Sequence, residues 1–182
     1  MTALQYVHGA IERHIGKGAV CIDATAGRGF DTAFLCSLAG DSGSVTAFDI
    51  QPEAIESTRA LLKERGLNAR VILSSHENMA QYAEPNSVDC IVFNLGYLPK
   101  GDHGIFTRFE STKKAIESGL GLLKSGGLMC VSVYYGGDSG YEERDALLPW
   151  LKELDDSKYQ VLVTFFHNWK KDPPIPVLIY KL

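Results

Sequence analysis

The sequence predicts an α/β protein in which helices cover both faces of a mostly parallel sheet. Short apolar runs that end in polar residues alternate with segments of helical character along most of the chain. This alternation is typical of βαβ units, whose crossover helices bury both faces of a parallel sheet. The last two apolar runs have no helix between them, which predicts a terminal antiparallel hairpin with one strand inserted beside its neighbour.

The first half of the chain predicts three strands and two helices. The strands cover residues 19–23, 44–49 and 70–73, which are short and apolar in the manner of buried strands. The helices cover residues 31–39 and 52–65. Asp31 or Thr32 is suited to the first turn of the first helix. Pro52 opens the second helix and Gly66 ends it.

The second half predicts four strands and two helices. The strands cover residues 88–94, 128–135, 159–166 and 175–180. The helices cover residues 107–124, closed by Ser125-Gly126-Gly127, and 141–154, preceded by a glycine-containing loop at 136–140.

Length and composition indicate one globular domain spanning residues 1–182. Hydrophobic residues make up 45% of the chain and charged residues 22%, as in ordinary globular proteins. The N-terminus has no basic cluster followed by an apolar segment, and no apolar run approaches the length of a membrane span. The expected location is therefore the cytoplasm, with no membrane partner.

The cysteines and the net charge narrow the function classes. The four cysteines, none of them in a C-x-x-C pair, are Cys21, Cys36, Cys90 and Cys130. Because they lie in apolar runs, we expect buried thiols and no metal site. A net charge of −4 argues against coating nucleic acid by charge alone, although a local basic patch is sufficient to dock RNA.

A glycine-rich turn follows the first predicted strand, from Asp23 to Gly29. In open parallel sheets, ligands bind beyond the carboxyl ends of the strands, where the strand order reverses. Glycines allow the backbone to approach a ligand, and the next helix offers unpaired N–H groups. Asp49 ends the second strand at the position that binds a ribose diol in related nucleotide folds, and Asn94 ends the fourth.

Two details of this turn favour S-adenosylmethionine over NAD. The dinucleotide fingerprint requires a third glycine, but Thr32 stands three residues after Gly29. The Asp23 carboxylate would also repel a pyrophosphate, whereas it suits a sulfonium cation or an amino group. A glycine turn with a purely structural role is less favoured, because three loops converge at one edge of the sheet.

Four segments carry a resemblance to a known family. They are Asp23-Ala-Thr-Ala-Gly-Arg-Gly-Phe-Asp-Thr32, Phe48-Asp-Ile-Gln51, Ser75-His76 and Phe93-Asn-Leu-Gly-Tyr-Leu-Pro99. They resemble small bacterial class I methyltransferases labelled rRNA methylases, which include tRNA 5-aminomethyl-2-thiouridine methyltransferase. The resemblance covers nearly the whole chain. It implies a Rossmann-like, seven-stranded sheet that ends in a reversed strand.

The resemblance also implies a cofactor site. The cofactor-binding residues it indicates are Asp23, Thr25, Ala26, Gly27, Gly29, Asp31, Thr32, Asp49, Ile50, Gln51, His76 and Asn94. The turn and the start of the next helix would surround the methionine moiety, and Asp49 would bind the ribose hydroxyls. Gln51 and His76 would flank the adenine; the alternative for His76 is a loop histidine without a ligand.

The segment Asn94-Leu-Gly-Tyr97 resembles the Asn-Pro-Pro-Tyr motif of amino-group methyltransferases. In that motif the Asn side-chain oxygen and a following backbone carbonyl accept hydrogen bonds from the target amine, and the aromatic ring stacks on a base. The lone pair then points at the methyl group. The catalytic residues so predicted are Asn94, Leu95, Gly96, Tyr97 and Asp102. Asp102 and His103 are candidate bases, with a solvent-exposed turn as the alternative.

Basic and aromatic side chains predict an RNA-binding surface. The candidates are Lys100, His103, Arg108, Lys113 and Lys114 in one group, and Trp169, Lys170 and Lys171 in a second. Basic groups hold phosphates and aromatic rings stack on unpaired bases. The alternative is that these lysines are ordinary solvated charges on helix faces.

The leading functional hypothesis is N-methylation of the 5-aminomethyl group of the tRNA wobble (2-thio)uridine. The alternatives are another RNA site, such as one in rRNA, a small amine metabolite, or, least favoured, a non-catalytic binding module. The chain departs from the family pattern at 134–140 and at 100–103, in loops that would approach the substrate. The sequence leaves the oligomeric state open, with a homodimer as one alternative.

Overall fold

The computed structural model describes residues 1–96, 107–135, 137–170 and 172–182, with residues 137–140 described by their backbone only. The strands are β1 Val20–Asp23, β2 Ser44–Asp49, β3 Arg70–Leu73, β4 Val88–Leu95, β5 Leu123–Val133, β6 Tyr159–Val163 and β7 Ile175–Lys181. The helices are α1 Ala3–His14, α2 Phe30–Ala39, α3 Pro52–Arg65, α4 Phe109–Leu122 and α5 Gly137–Leu151, with a short 3-10 helix at His76–Gln81.

The described strands form one seven-stranded sheet in the order β3-β2-β1-β4-β5-β7-β6. Strands β1 to β5 are parallel, and β7 is antiparallel to both of its neighbours, β5 and β6. The predicted parallel sheet and terminal hairpin are therefore confirmed, with β7 inserted beside β5. The chain winds from β1 outward to β3 and then returns to β4, so the strand order reverses between β1 and β4.

Helices cover both faces of the sheet, as predicted. Side chains alternate along β4, so that Ile91 and Phe93 join one core while Cys90 and Val92 join the other. Helices α4 and α5 cover the first core, and α1, α2 and α3 cover the second. Each fully buried Leu, Ile or Phe side chain contributes about 1.5–3 kcal/mol, so these two layers supply most of the favourable energy.

The N-terminal helix α1 is absent from the sequence-based prediction. Thr2 caps it, because the Thr2 hydroxyl accepts from the Gln5 backbone N–H while the Gln5 side chain accepts from the Thr2 N–H. Val7 and Ile11, one turn apart, are buried against the sheet. This face of α1 therefore packs in the same core as α2 and α3.

Several predicted boundaries are wrong in the second half of the chain. Helix α4 ends at Leu122, because Leu123 already pairs with Val88 in the sheet. Gly126, predicted as part of the helix stop, instead lies within β5 at a φ of 77°, where the register with β4 shifts. Helix α5 begins at Gly137, four residues earlier than predicted, and β6 ends at Val163, three residues earlier.

All four cysteines are buried free thiols, as expected. Burial raises the pKa of Cys36 to about 11, so this thiol stays protonated at neutral pH. In the part of the chain that the structure describes, no helix has the length and apolarity that crossing a membrane requires.

Candidate functional site

The turn between β1 and α2 lies where the strand order reverses. The Ala26 N–H donates to the Phe48 carbonyl of β2 at 2.8 Å, and the Gly29 N–H donates to the Ala26 carbonyl at 2.8 Å. Gly29 has a φ of 84°, and a Cβ there would lie 2.8 Å from the Thr58 Cα. Glycine is the residue that tolerates both the positive φ and the close approach to Thr58 of α3 without strain.

Asp23 lies beneath this turn and is fully buried. One carboxylate oxygen accepts from the Thr25 N–H at 3.2 Å and the other from the Thr32 hydroxyl at 2.6 Å. Burial, and then the neighbouring charge of Asp31, raises the pKa of Asp23 to about 7. Asp23 thus braces the turn and the start of α2, and its negative charge is disfavoured unless a cation lies nearby.

Asp49 ties the end of β2 to the same turn. Its two carboxylate oxygens accept from the Gly27 N–H and the Gln51 N–H, each at 2.9 Å. Ile50 is 56% exposed beside it, whereas Gln51 is buried. The predicted residues at the ends of β1 and β2 are therefore in direct contact.

His76 begins the 3-10 helix and lies against this group. Its ring centroid is 5.7 Å from that of Phe93, and its side chain lies close to the backbone of Ala24. Burial lowers the pKa of His76, so the imidazole is neutral at physiological pH. The structure therefore places His76 beside the glycine-rich turn, and its contact with adenine stays a prediction.

Asn94 connects β4 to the turn and to α2. Its N–H donates to the Thr25 hydroxyl oxygen at 2.7 Å, and its side-chain Nδ2 donates to Asp31 Oδ2 at 2.5 Å. The other Asp31 oxygen, Oδ1, lies 2.6 Å from His8 Nε2. The His8 ring is stacked on Phe34, with centroids 3.8 Å apart and an angle of 8°. His8 is a member of the site that the sequence analysis missed.

Gly96 and Thr107 lie on either side of the segment 97–106. The Gly96 N–H donates to the Thr107 hydroxyl at 2.8 Å, and the Thr107 N–H donates to the Gly96 carbonyl at 3.0 Å. The Thr107 hydroxyl in turn donates to Glu143 Oε2, and the Thr112 hydroxyl donates to Glu143 Oε1, both at 2.6 Å. Burial raises the pKa of Glu143. This carboxylate is a second component that sequence reasoning missed.

Tyr134 follows β5 and lines the same region. A Cβ at Gly96, whose φ is 134°, would lie 3.3 Å from the Tyr134 Cβ. Burial, and then the charge of Asp31, raises the pKa of the Tyr134 phenol. The predicted catalytic residue Leu95 is buried at the end of β4 beside this tyrosine's strand.

Other predicted site residues cannot be placed. Tyr97, Lys100, Asp102 and His103 lie outside the described residues, as does Lys171. Their predicted roles in catalysis and RNA binding therefore stay predictions.

The predicted RNA-binding residues that the structure describes fall into two groups near this edge. Arg108 is exposed at the start of α4, and Lys113 lies 5.6 Å from the Trp150 ring centroid and 4.0 Å from Glu117. Lys114 pairs with Glu77 at 3.6 Å. Lys113 and Lys114 thus have partners within the chain, which weakens their case as free phosphate ligands.

The second group lies in the connection between β6 and β7. Trp169 is 44% exposed with its ring 4.8 Å from that of Phe166, and Lys170 is exposed. Ile175 pairs with Val133, the last residue of β5, so this connection lies at the same edge as the carboxyl ends of the parallel strands.

An open cavity of about 320 Å³ lies at the opposite edge of the sheet. Its lining includes His14, Lys17, Lys124 and Asp89. Lys124 and Asp89 form an ion pair at 2.8 Å, and Asp89 also accepts from the Val20 N–H. The convergent polar groups of the strand ends lie elsewhere, so size alone does not make this cavity the functional site.

Known proteins are similar to this chain in sequence and in structure. The family model described as "Putative rRNA methylase" matches residues 45–180. A relative from Arabidopsis thaliana, "tRNA (mnm(5)s(2)U34)-methyltransferase, chloroplastic", is 36% identical over 98% of this chain and 68% of its own length.

Two solved structures share the whole fold. A protein described as a "putative rRNA-methylase" from Clostridium thermocellum has a TM-score of 0.97 and 42% identity, covering 100% of this chain and 98% of its own. A protein described as a "putative methyltransferase" from Streptococcus mutans, solved in complex with SAH, has a TM-score of 0.91 and 34% identity, covering 100% of this chain and 99% of its own. Because the family model matches well over half of the sequence, this chain belongs to the rRNA methylase family of methyltransferases.

Proposed function

We propose that this protein transfers a methyl group from S-adenosylmethionine to an amine, the 5-aminomethyl group of a tRNA wobble uridine. The observation that carries the proposal is the position of Asn94. Asn94 lies at the carboxyl end of β4, where its backbone N–H contacts the glycine-rich turn and its carboxamide contacts Asp31 of α2, so a cofactor and an acceptor would meet there.

The residues present suit S-adenosylmethionine. Three carboxylates, those of Asp23, Asp31 and Asp49, lie at this edge, and burial, followed by repulsion from Asp31 and to a smaller extent from Asp49, raises the pKa of Asp23. A ligand with a sulfonium and an ammonium group relieves that repulsion, whereas the pyrophosphate of NAD would add to it. The SAH found in the Streptococcus mutans relative supports the same choice.

Individual residues match the parts of this cofactor. Each Asp49 oxygen uses one lone pair on a backbone N–H and keeps another to accept from a ribose hydroxyl. The exposed side chain of Ile50 offers an apolar surface to adenine, and neutral His76 lies within electrostatic reach of Asp49. Close packing of Gly29 on Thr58 leaves the N-terminus of α2 without a side-chain cap, so its N–H groups are open to a carboxylate.

The chemistry required of the chain is orientation and proton removal. When bound, S-adenosylmethionine supplies an activated methyl group. Asn94 Oδ1 would accept a hydrogen bond from the amine and so direct its lone pair. An alkylammonium must first lose a proton, and Asp102 and His103 remain the proposed acceptors. The amine that receives the methyl group would approach past Gly96, where a Cβ would contact the side chain of Tyr134.

RNA is the proposed partner. The Arabidopsis relative is a tRNA wobble methyltransferase by name, and Arg108, Trp169 and Lys170 offer basic and aromatic groups at the edge that carries Asn94. A site in rRNA is the second candidate, because the family description names rRNA. We further propose that residues 1–182 act as one domain, since the turn, β4 and the terminal hairpin contribute to one edge of one sheet.

The deciding experiment is nucleoside mass spectrometry of tRNA and rRNA from a strain that lacks the gene. Accumulation of unmethylated 5-aminomethyl-2-thiouridine, reversed by the wild-type gene, is the expected result. Unchanged tRNA together with a missing rRNA methyl group would replace the tRNA proposal with the second candidate. Unchanged tRNA and rRNA would contradict both.

A further inference from the structure

We propose that His8, on α1, is a positioning residue that acts through Asp31 to hold the Asn94 carboxamide with its oxygen available to the acceptor amine. The inference concerns the N-terminal helix, and it rests on the proposed amine methylation. His8 and Asn94 lie on different elements, and among the described residues the Asp31 carboxylate links them.

Asp31 determines the orientation of the Asn94 carboxamide, that is, where its nitrogen and its oxygen lie. An ionised carboxylate only accepts hydrogen bonds, so the atom 2.5 Å from Asp31 Oδ2 must be Nδ2, the donor. Without such a partner, an Asn side chain can rotate and exchange its oxygen and nitrogen, which have nearly the same size. Fixing Nδ2 on Asp31 leaves Oδ1 as the group that can accept from an amine.

His8 holds Asp31 in that position. The His8 Nε2–H donates to Asp31 Oδ1 at 2.6 Å, so both carboxylate oxygens are engaged and the carboxylate plane is fixed. The His8 side chain is 24% exposed and that of Asp31 13%, so solvent competes only weakly for this contact. Stacking of the imidazole on Phe34 sets the plane of the donor.

Burial of the apolar face of α1 and the contact between His8 and Asp31 together hold α1 in its position. Val7 precedes His8 and is buried in the core beneath the helix, so His8 is delivered from a rigid element. A group that orients the substrate, such as the Asn94 carboxamide, needs rigid support, because small displacements of such a group reduce turnover strongly.

Three variants test the inference. His8→Phe keeps the ring on Phe34 and removes the donor, and His8→Gln restores an N–H donor of similar reach. Asp31→Asn replaces the acceptor with a carboxamide that can pair with either end of Asn94. His14→Phe is the matched control, because His14 lies on the same helix with its ring 5.7 Å from Tyr180, at the opposite edge.

Turnover on tRNA that carries 5-aminomethyl-2-thiouridine is the first measurement. We expect His8→Phe to lower kcat about tenfold with KM for tRNA and Kd for SAH changed less than twofold. His8→Gln should recover most of the loss, Asp31→Asn should lower kcat about 100-fold, and His14→Phe should match the wild type.

The second measurement needs no turnover. In ¹⁵N–¹H spectra of the protein without ligands, we expect the Asn94 side-chain NH₂ pair to be sharp and strongly inequivalent. In His8→Phe it should broaden or collapse, while the backbone spectrum outside α1 and the turn stays unchanged.

The outcomes separate the two levels of the proposal. Full kcat in His8→Phe, or equal losses in His8→Phe, His8→Gln and His14→Phe with lowered Tm, would overturn the role of His8. An unchanged Asn94 NH₂ signal in His8→Phe would overturn it too. Failure of the wild type to methylate the amine would instead contradict the proposed function and this inference with it.

Discussion

Replacing Glu143 with Ala tests whether one buried carboxylate fixes Thr107, the residue that pairs with Gly96 across the segment 97–106. Glu143 is 4% exposed and accepts two hydroxyl hydrogen bonds of 2.6 Å, from Thr107 and Thr112. Thr112 is fully buried, and its hydroxyl would lose the acceptor that it has in the wild type. An unsatisfied buried hydroxyl costs about 1–3 kcal/mol, and a hydrogen bond to a charged group contributes a similar amount.

The cost of burying the Glu143 carboxylate offsets part of that loss. We therefore expect Glu143→Ala to reduce the free energy of unfolding by about 2 kcal/mol and to lower Tm by about 4–8 °C, the scale for a chain of this length. Because Thr107 also loses the acceptor that fixes its hydroxyl toward the Gly96 N–H, kcat for amine methylation should fall about tenfold or more.

Urea unfolding followed by circular dichroism, together with steady-state kinetics, measures both effects. Glu142→Ala is the control, because Glu142 is exposed on the same helix and its replacement should change the free energy of unfolding by less than about 0.5 kcal/mol. Equal stability and equal kcat for the two variants would show that Glu143 does not anchor these residues.

Three further predictions concern the glycine-rich turn and the acids beside it. Burial and Asp31 raise the pKa of Asp23 to about 7, so between about pH 4 and pH 7 the folded protein retains a proton that the unfolded chain releases. The free energy of unfolding should therefore fall as the pH rises from about 4 to 7. In Asp23→Asn, denaturation curves measured over the same pH range should show a smaller fall. Gly29→Ala should lower the free energy of unfolding more than Gly66→Ala does. A Cβ at Gly66 meets no atom within 4 Å, so that variant should lose only about 1 kcal/mol, because of its positive φ. Equal losses of the two variants in urea unfolding would argue against the close contact of Gly29 with Thr58. Asp49→Ala should weaken SAH binding about 10- to 100-fold in calorimetry, and unchanged affinity would remove Asp49 from the ribose site.

The positions of the cofactor-site candidates were predictable because strand ends are local features. A short apolar run followed by Asp23 and glycines, and another followed by Asp49, indicate strands that stop at one edge of a parallel sheet. The structure places Asp49 on the Gly27 N–H and Asn94 on the Thr25 hydroxyl, so the loops that converge in the prediction are in contact.

The residues that support the site were not predictable in the same way. His8 contacts Asp31 from 23 positions away and Glu143 contacts Thr107 from 36 positions away, so no local spacing links them. Helix α1 did have a local signal that was missed, since Thr2 and Gln5 form a capping box before apolar residues spaced at helical intervals.

The boundary at Leu123 shows how tertiary pairing overrides a local stop signal. Ser125-Gly126-Gly127 has the composition of a helix end, but the sheet recruits Leu123 opposite Val88, and Gly126 is used for its positive φ within β5. The glycine-rich sequence therefore indicated a change of backbone direction at this position correctly, but the change lies within strand β5 and not at the end of helix α4.

The most direct test of the central claim is methyl transfer by the purified protein from labelled S-adenosylmethionine to tRNA from the deletion strain, compared with the Asn94→Ala variant. We expect the wild type to convert 5-aminomethyl-2-thiouridine to its N-methyl form and Asn94→Ala to lose at least 100-fold in kcat while still binding SAH. Full turnover by Asn94→Ala, or label on a carbon or hydroxyl in place of the amine nitrogen, would contradict the proposal that this site orients an amine.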